Sequence, residues 1–290
     1  MLGAAIARGV LAPALVAALV LVLAWRPWLS GARAPDGRWS GAPAIGLAFL
    51  VGFAATIGPP RLPFAGGALS GQEWLAWIAL AAGVPLAVAA RPGRAAVLRG
   101  LLTVALVEGV LRAMFVHHWS GAPAILWFAG LALALNLHFW SAEALARRAP
   151  GAAMPLSWIV VGTGLALTSG LTGSTALAQL AGAATAALGP ALVLAWWRPR
   201  FSLAGGAATM VVLVLFGIGL CARFYSSLPR LEASLLLCAP FLAWVAELPP
   251  LRSRRPRVRA LARALAVLVP VAAAVTSAAL AYESDPYAGY

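Results

Sequence analysis

Apolar runs long enough to cross a lipid bilayer recur along the whole 290-residue chain. A spanning helix needs about 20 mainly apolar residues, because each residue advances about 1.5 Å across a hydrocarbon core about 30 Å thick. The second and ninth runs are short and the sixth and seventh nearly adjoin, so nine spans or one re-entrant pair are alternatives to ten. The ten runs lie approximately at residues 9–25, 42–57, 74–90, 95–116, 121–140, 154–170, 174–197, 205–222, 231–246 and 264–282.

This pattern predicts an all-α fold, a polytopic transmembrane helical bundle that forms a single integral membrane domain over residues 1–290 with no soluble domain. Charged residues make up 10% of the chain and hydrophobic residues 62%, whereas soluble domains carry about 25% charged residues. So few polar residues cannot cover the surface of a water-soluble protein of this size. The apolar surplus is expected to face lipid.

All 21 basic residues are arginine, which, with the abundance of Ala, Gly and Pro, indicates a GC-rich bacterial genome. The net charge of +13 does not predict nucleic-acid binding, because the arginines lie mainly between the apolar runs. The first, third, fifth, seventh and ninth connections hold sixteen of them and the opposite side holds five. Positive residues accumulate in cytoplasmic loops, so we expect these five connections in the cytoplasm of a bacterium and both termini outside it.

The first run has an alternative interpretation as a cleaved secretory signal peptide. Residues 32–34 read Ala-Arg-Ala and resemble a small-residue cleavage site. However, Pro35 would follow the cut directly, and the first connection with its three arginines would then lie outside. We therefore favour a retained first span.

Two charged residues fall within the fourth predicted span. Glu108 lies at its centre and Arg112 follows one turn later on the same helix face. Charges at the bilayer centre cost about 2.5–3.5 kcal/mol each, so the two residues are candidates for a proton-coupled or anion-binding site in the bundle interior. A structural ion pair that fixes helix register is an equally good interpretation.

The three histidines are candidates for proton exchange or catalysis. His117 and His118 fall at the outer end of the fourth span, and His138 falls near the inner end of the fifth, with Asn136 and Glu143 close in sequence. The two groups are nearly a membrane thickness apart, so they predict no metal or haem site. For His117 and His118 the favoured interpretation is a pair of solvated histidines, and the alternative is proton entry from the outer side. For the group around His138 the favoured interpretation is a helix end among the headgroups, and the alternative is an inner gate.

The seventh span combines small and polar residues. Small side chains recur at every fourth position from Ser174 to Ala186, a pattern that favours close helix packing. Gln179 lies beside this stripe as a candidate contact in a substrate path. Pro190 should kink the helix and is a candidate hinge.

The ninth connection is the most basic segment. Each of its arginines should gain about 1 kcal/mol from anionic headgroups of the inner leaflet, which makes membrane lipids the expected partners. A role in setting topology explains the same residues equally well, and association with further subunits within the membrane stays open. The candidate headgroup contacts are Arg252, Arg254, Arg255, Arg257 and Arg259.

One seven-residue sequence, WSGAPAI, occurs twice, at residues 39–45 and 119–125. Three helices separate the two copies, so they would run in opposite directions, as in inverted-repeat transporters. The favoured interpretation is two similar helix starts, each with an interfacial Trp, a Ser N-cap and Pro in the first turn.

No catalytic or cofactor-binding motif accompanies these features. The sequence lacks a Gly-rich phosphate loop with a lysine, a paired-aspartate motif, a Ser-His-Asp set and an HExxH motif, and it predicts no cofactor. Cys221 and Cys238 lie in apolar runs without CxxC spacing, so we expect buried free thiols rather than a disulfide or zinc site.

The sequence therefore predicts a small transporter of a small or amphipathic solute, with a cavity lined by the fourth, fifth and seventh spans. One alternative is a membrane-embedded transferase that acts on lipid-linked substrates through His117, His118 or His138. Another is a non-catalytic subunit or assembly factor of a larger membrane complex.

Overall fold

The chain is helical over most of the residues that the computed structural model describes, which are 7–25, 38–64, 68–89, 92–198 and 201–284, and these contain no strand. A π-helical turn, Ala7–Leu11, precedes the first helix, and α9 continues into a 3₁₀ helix, Ala239–Glu247. The helices are α1 (Ala12–Trp25), α2 (Arg38–Thr56), α3 (Gly71–Val88), α4 (Pro92–His117), α5 (Ala122–Arg148), α6 (Ala153–Leu171), α7 (Thr175–Trp197), α8 (Ala207–Tyr225), α9 (Arg230–Cys238), α10 (Pro249–Arg252) and α11 (Pro256–Ser284).

Seven of the described helices are long and apolar enough to cross a membrane: α3, α4, α5, α6, α7, α8 and α11. The apolar stretches of α1 and α2 are shorter, at Gly9–Leu23 and Gly41–Thr56, and the ninth predicted run is divided between α9 and the 3₁₀ helix. The prediction of a transmembrane helical bundle is confirmed. The count of ten spans stays a prediction, although each of the ten runs coincides with a helical segment.

Helix α8 is the core of the bundle. Of its most apolar window 83% is buried, compared with 17% for α5 and 28% for α11. It packs on α2, α3, α4, α5, α6, α7 and α9. A helix that is apolar all round is stable only when other helices surround it or lipid does, and here the neighbouring helices do so.

The helix ends fall on two faces, which we name after an arginine on each. The Arg61 face carries the connection from α2 to α3 and the turns after α4, α6 and α8. There the Tyr225 hydroxyl donates a hydrogen bond to the Val110 carbonyl, 2.7 Å away. The Arg147 face carries the turns after α5 and α7 and helix α10, and there the Gly151 N–H donates to the Phe201 carbonyl at 2.7 Å.

On the Arg61 face, a bidentate ion pair fixes the start of α3. Arg61 Nε and Nη2 each lie 2.7 Å from an oxygen of Glu73. The hydrogen bonds to this carboxylate raise the pKa of Arg61 above its usual value. The same carboxylate accepts the Ser70 N–H at 2.8 Å, while the Ser70 hydroxyl accepts the Glu73 N–H. Together these bonds form a capping box.

On the Arg147 face, two glycines shape the turn into α8. Gly206 is the N-cap residue with a φ of 109°, a conformation that only glycine adopts without strain. A Cβ at Gly206 would lie 2.5 Å from the carbonyl oxygen of Leu86, so the turn lies directly against the backbone of α3. Gly205 donates its N–H to Glu143 at 2.8 Å, which ties the turn to α5.

The two copies of WSGAPAI begin their helices differently. Helix α2 begins at Arg38, before the first copy, so Ser40 lies inside the helix instead of at the predicted N-cap. In the second copy the N-cap is Gly121, with a φ of 62° and no side-chain capping bond. The shared Ser N-cap is therefore wrong in both copies, whereas Pro123 does lie in the first turn of α5.

Candidate functional site

A cavity of about 280 Å³ lies between α5, α6, α8 and the segment from α9 to the 3₁₀ helix. Its walls are almost entirely apolar, with Leu131 from α5, Trp158 and Leu165 from α6, Leu215 from α8 and Leu236 from α9. The sequence predicted a cavity lined by the fourth, fifth and seventh spans. Only the fifth lines this one, because α4 and α7 pack on other sides of α8.

The cavity exists because α5 and α9 diverge. Helix α9 packs on α6, α8 and α11, and α5 packs on α4 and α8, while the 3₁₀ helix that follows α9 packs on α5. The resulting wedge extends from the Arg61 face, where Arg223 and Arg230 line it, to His138 near the middle of the bundle. On α5 it extends from Trp127 to His138, eleven residues, or about 16 Å of helix.

The open end of the cavity is basic. Arg223 in the last turn of α8 and Arg230 in the first turn of α9 both line it. Arg223 is half-buried, and its guanidinium lies 5.8 Å from the centre of the Phe224 ring. Arg230 is exposed. Two guanidinium groups beside an apolar cleft are suited to the anionic head of an amphipathic molecule.

Stacked aromatic rings frame this basic end. Trp127 and Trp119 stack with their centroids 5.2 Å apart, and Phe224 packs edge-on against both, at 5.4 Å and 5.2 Å. Of these rings, Trp127 and Phe224 line the cavity. Aromatic rings commonly lie at the level of the headgroups in membrane proteins, which fits an entrance near the membrane surface.

His138 closes the other end of the cavity. Its side chain is buried, with Phe241 at 4.4 Å and Phe216 at 5.5 Å between ring centroids. Nδ1 lies 2.7 Å from the Ala134 carbonyl oxygen, and Nε2 lies 2.7 Å from the Leu237 carbonyl oxygen. Both contacts are hydrogen bonds only when both ring nitrogens carry a proton, because a neutral imidazole donates from one nitrogen alone.

Pro240 explains why the Leu237 carbonyl accepts a bond from a side chain. In a 3₁₀ helix this carbonyl would take the N–H of residue 240, and proline has none. His138 supplies the missing donor at the point where the α-helix gives way to the 3₁₀ helix. Three residues along α5, Ser141 accepts a hydrogen bond from Trp244 Nε1 at 2.7 Å, so two side-chain contacts hold the 3₁₀ helix against α5.

A second, smaller cavity begins on the other side of His138. It has a volume of about 10 Å³, close to the space that one water molecule occupies. Ser141 and Ser157 supply polar atoms to its lining, while His138, Trp158 and Pro240 line both cavities. The histidine and these rings therefore separate an open cavity from a nearly filled one.

A buried carboxylate lies near the Arg147 face, beyond the second cavity. Glu143 Oε1 accepts the Gly205 N–H at 2.8 Å and contacts Arg147 Nη1 at 3.1 Å. Its Oε2 lies 3.9 Å from Arg99 Nη2. Asn136 belongs to a separate contact with α4, where its Nδ2 donates to Thr103 Oγ1 at 2.9 Å. These bonds anchor the end of α5 to α4 and α8, in place of the predicted polar helix end among headgroups.

The structure places several predicted site residues away from the cavity. Glu108 and Arg112 are exposed on α4 and form no ion pair with each other, so the prediction that they lie in the bundle interior is wrong. His117 and His118 are exposed at the end of α4. His138 is nearer the middle of its helix than predicted, because α5 continues to Arg148.

The other predicted positions also differ in part. Gln179 is exposed on α7, and Pro190 lies inside that helix, which continues through it to Trp197. Cys221 is a buried free thiol as predicted, but Cys238 is exposed.

In the basic segment, Arg252, Arg254 and Arg255 are exposed, as a headgroup contact requires. Arg257 lies in α11. Arg259 instead forms an ion pair with Glu247 at 2.8 Å, and the buried Arg263 contacts the same oxygen. The two ion pairs hold the start of α11 against the end of the 3₁₀ helix.

Sequence reasoning assigned no site role to the residues that give the cavity its basic end, Arg223 and Arg230, which it counted only as arginines of the outer side. It also missed Glu232, which is buried and accepts a hydrogen bond from the Ser277 hydroxyl at 2.6 Å. Glu232 occupies the third position of α9, where a capping box would normally use the N–H of the N-cap residue. That residue is Pro229, so the second carboxylate oxygen of Glu232 has no partner.

Comparison with known protein families, curated proteins and solved structures gave no match. Among the described residues, no three His, Cys, Asp or Glu side chains are grouped closely enough to hold a metal ion. The cavity and its two ends are therefore the features of the described residues that indicate a function.

Proposed function

We propose that this protein is a ten-span carrier that takes an amphipathic anion into the cavity between α5 and α9. The observation that carries the proposal is the polarity of the cavity, which has apolar walls about 16 Å long, Arg223 and Arg230 at the open end and His138 at the closed end. A hydrocarbon chain fits the walls, and an acidic head group fits the two guanidinium groups.

The lengths of two of the three weaker helical segments support their crossing the membrane. Helix α2 has 19 residues, or about 28 Å at 1.5 Å per residue. The segment Arg230–Glu247 consists of nine α-helical and nine 3₁₀-helical residues. Because a 3₁₀ helix rises about 2.0 Å per residue, this segment extends about 31 Å, enough for a hydrocarbon core about 30 Å thick.

The distribution of arginine supports an orientation with the Arg147 face in the cytoplasm of a bacterium. The cavity then opens on the outer side of the inner membrane, and its closed end lies near mid-membrane. The basic ends of α8 and α9 are among the few arginine-bearing positions on that outer side. A role in holding a ligand explains why they depart from the positive-inside pattern.

Transport requires a route past His138. The contacts His138–Leu237 and Ser141–Trp244 are the bonds that hold the 3₁₀ helix on α5, and the small second cavity begins directly behind them. Movement of the 3₁₀ helix away from α5 would join the two cavities. Movement of α9 towards α5 would close the basic entrance.

The alternative of a lipid-linked transferase receives less support from these residues. Both ring nitrogens of His138 face backbone carbonyls, which leaves neither free to take a proton from a substrate. His117 and His118 are exposed on α4 and do not line the cavity.

Uptake of a fluorescent fatty-acid anion into proteoliposomes tests the proposal, with a fatty alcohol of the same chain length as the uncharged comparison. Loss of one charged hydrogen-bond partner is worth about 1.5–3 kcal/mol, so Arg223→Gln and Arg230→Gln should each reduce saturable uptake about 10-fold or more. The matched control is Arg254→Gln, an exposed arginine on the opposite face, and it should transport normally. Equal uptake of the alcohol and the acid, or normal uptake by both cavity variants, would reject the proposal.

A further inference from the structure

Helix α4 presents an exposed stripe along most of its length. Only 33% of its most apolar window is buried. The stripe is formed by residues spaced three and four apart, which share one helix face. It consists of Val97, Leu101, Val104, Ala105, Glu108, Arg112 and Val116, all of them exposed.

Glu108 lies at the centre of this stripe, within the length of α4 that is apolar enough to span a membrane. It is nine residues before His117, where α4 ends, so about 13 Å of helix separates it from that end. Among the described residues, the side chains of Glu108 and Arg112 make no ion pair or hydrogen bond. A carboxylate that faces hydrocarbon tails without a partner is strongly unfavourable, so this surface is expected to be covered.

The neighbouring exposed surface is different. The exposed positions of α5 that face away from the bundle are apolar, among them Ile125, Leu126, Leu133 and Trp140. Such a surface is compatible with lipid alone. The charged stripe of α4 is thus a local departure from a lipid-facing surface.

We propose that a second copy of this chain covers the stripe, so that Glu108 of each copy faces Arg112 of the other. The two charges have opposite sign, lie one turn apart and are offset by about 40° around the helix. In a parallel pair of helices, Glu108 of one copy therefore lies on the same side of the interface as Arg112 of the other, about 6 Å further along the helix axis. Copies inserted in the same orientation are related by a two-fold axis along the membrane normal, and such an axis produces both ion pairs at once. Gly100 has free space around its Cα, and Ala105 adds another small residue, so two α4 helices can approach closely.

Charge exchange tests the pairing directly. Fluorescence transfer between labelled copies, measured in lipid vesicles at decreasing protein-to-lipid ratio, reports the dimer fraction. Glu108→Gln and Arg112→Gln should each weaken the dimer about 10-fold or more. The exchange variant, Glu108→Arg combined with Arg112→Glu, should restore association, because it inverts both charges of each pair. Normal dimers in both neutral variants, or no recovery in the exchange variant, would overturn the proposal.

Cysteine crosslinking locates the contact without altering the charges. In a Cys238→Ser background, Val104→Cys on α4 should give an oxidised dimer, and Leu133→Cys on the exposed face of α5 should not. Equal crosslinking at the two positions, or a monomer throughout, would overturn the proposal. This result stands even where a charge variant fails to insert, because both cysteine variants retain Glu108 and Arg112.

Discussion

The Nε2 atom of His138 lies 2.7 Å from the carbonyl oxygen of Leu237, three residues before a proline that cannot donate to that carbonyl. This bond joins α5 to the junction between α9 and the 3₁₀ helix. It also forms the closed end of the cavity, since the imidazole lies between Phe216 and Phe241. The His138 side chain therefore supplies the donor that the Leu237 carbonyl lacks, and it separates the two cavities.

Replacing the imidazole with an apolar ring should destabilise the protein. His138→Phe keeps an aromatic ring between Phe216 and Phe241 but leaves the Leu237 carbonyl without its donor. A buried carbonyl that loses its partner costs about 1–3 kcal/mol, and thermal unfolding in detergent measures the loss. His118→Phe, at an exposed position, is the control and should change stability by less than about 0.5 kcal/mol.

The proline makes this prediction specific. Pro240→Ala returns an N–H to the helix, so the effect of His138→Phe should be smaller in the Pro240→Ala background, with a coupling of about 0.5–2 kcal/mol. A double-mutant cycle measures this coupling. Strictly additive effects would mean that His138 stabilises the protein by packing alone.

Filling the cavity should reduce the proposed transport without unfolding the protein. Gly219 lines the cavity, and a Cβ added there meets no atom within 4 Å. Gly219→Leu should therefore place its side chain in the cavity and reduce uptake about 10-fold or more. Stability should be unchanged or raised by up to about 1 kcal/mol, because Leu favours a helix more than Gly does.

Gly182→Leu on α7 provides the matched control for the filled cavity. Gly182 also has free space at its Cβ but lies outside the cavity lining. Uptake by this variant should equal that of the parent protein. If both leucine variants transport equally well, the solute does not pass through the cavity between α5 and α9.

The helices could be predicted from the sequence because the bilayer sets their length. The direction in which each helix faces could not, and α4 shows why. Val97 and Val104 are exposed while Leu106 and Val110 are buried, so both faces are apolar and hydropathy does not mark the interior. The cost of charge in lipid predicts that Glu108 lies in the interior, but a second protein surface would shield the charge equally well.

The cavity depends on how α5 and α9 diverge from α8, which no local pattern encodes. Pro240 was the available signal. It lies near the middle of an apolar run and removes a helix donor, so a polar side chain from another helix was needed nearby. The identity of that side chain, His138, follows only from the packing of the 3₁₀ helix on α5.

Removing the buried carboxylate at the Arg147 face should destabilise the bundle. Glu143 is 2% exposed and contacts Arg147 and Gly205, with Arg99 at 3.9 Å. Arg147 is exposed and can be solvated without the carboxylate, but the Gly205 N–H loses its acceptor. A lost partner of this kind costs about 1–3 kcal/mol, so Glu143→Ala should lower the melting temperature. Glu143→Gln keeps an acceptor for the Gly205 N–H and should lose less. Equal losses in the two variants would show that the bond from the Gly205 N–H contributes nothing.

Cysteine labelling of intact cells tests the orientation and the ninth span together. Phe64 is 98% exposed on the Arg61 face, and Ser253 is exposed on the Arg147 face. Between them lie α3 to α8, all long enough to span, and the segment from α9 through the 3₁₀ helix. Six crossings would return the chain to the same side, whereas seven place the two positions on opposite sides.

In a Cys238→Ser background, a membrane-impermeant maleimide should therefore label Phe64→Cys in intact cells and Ser253→Cys only after permeabilisation. Labelling of both positions in intact cells would mean that Arg230–Glu247 does not cross the membrane, and labelling of Ser253→Cys alone would reverse the orientation inferred from the arginines.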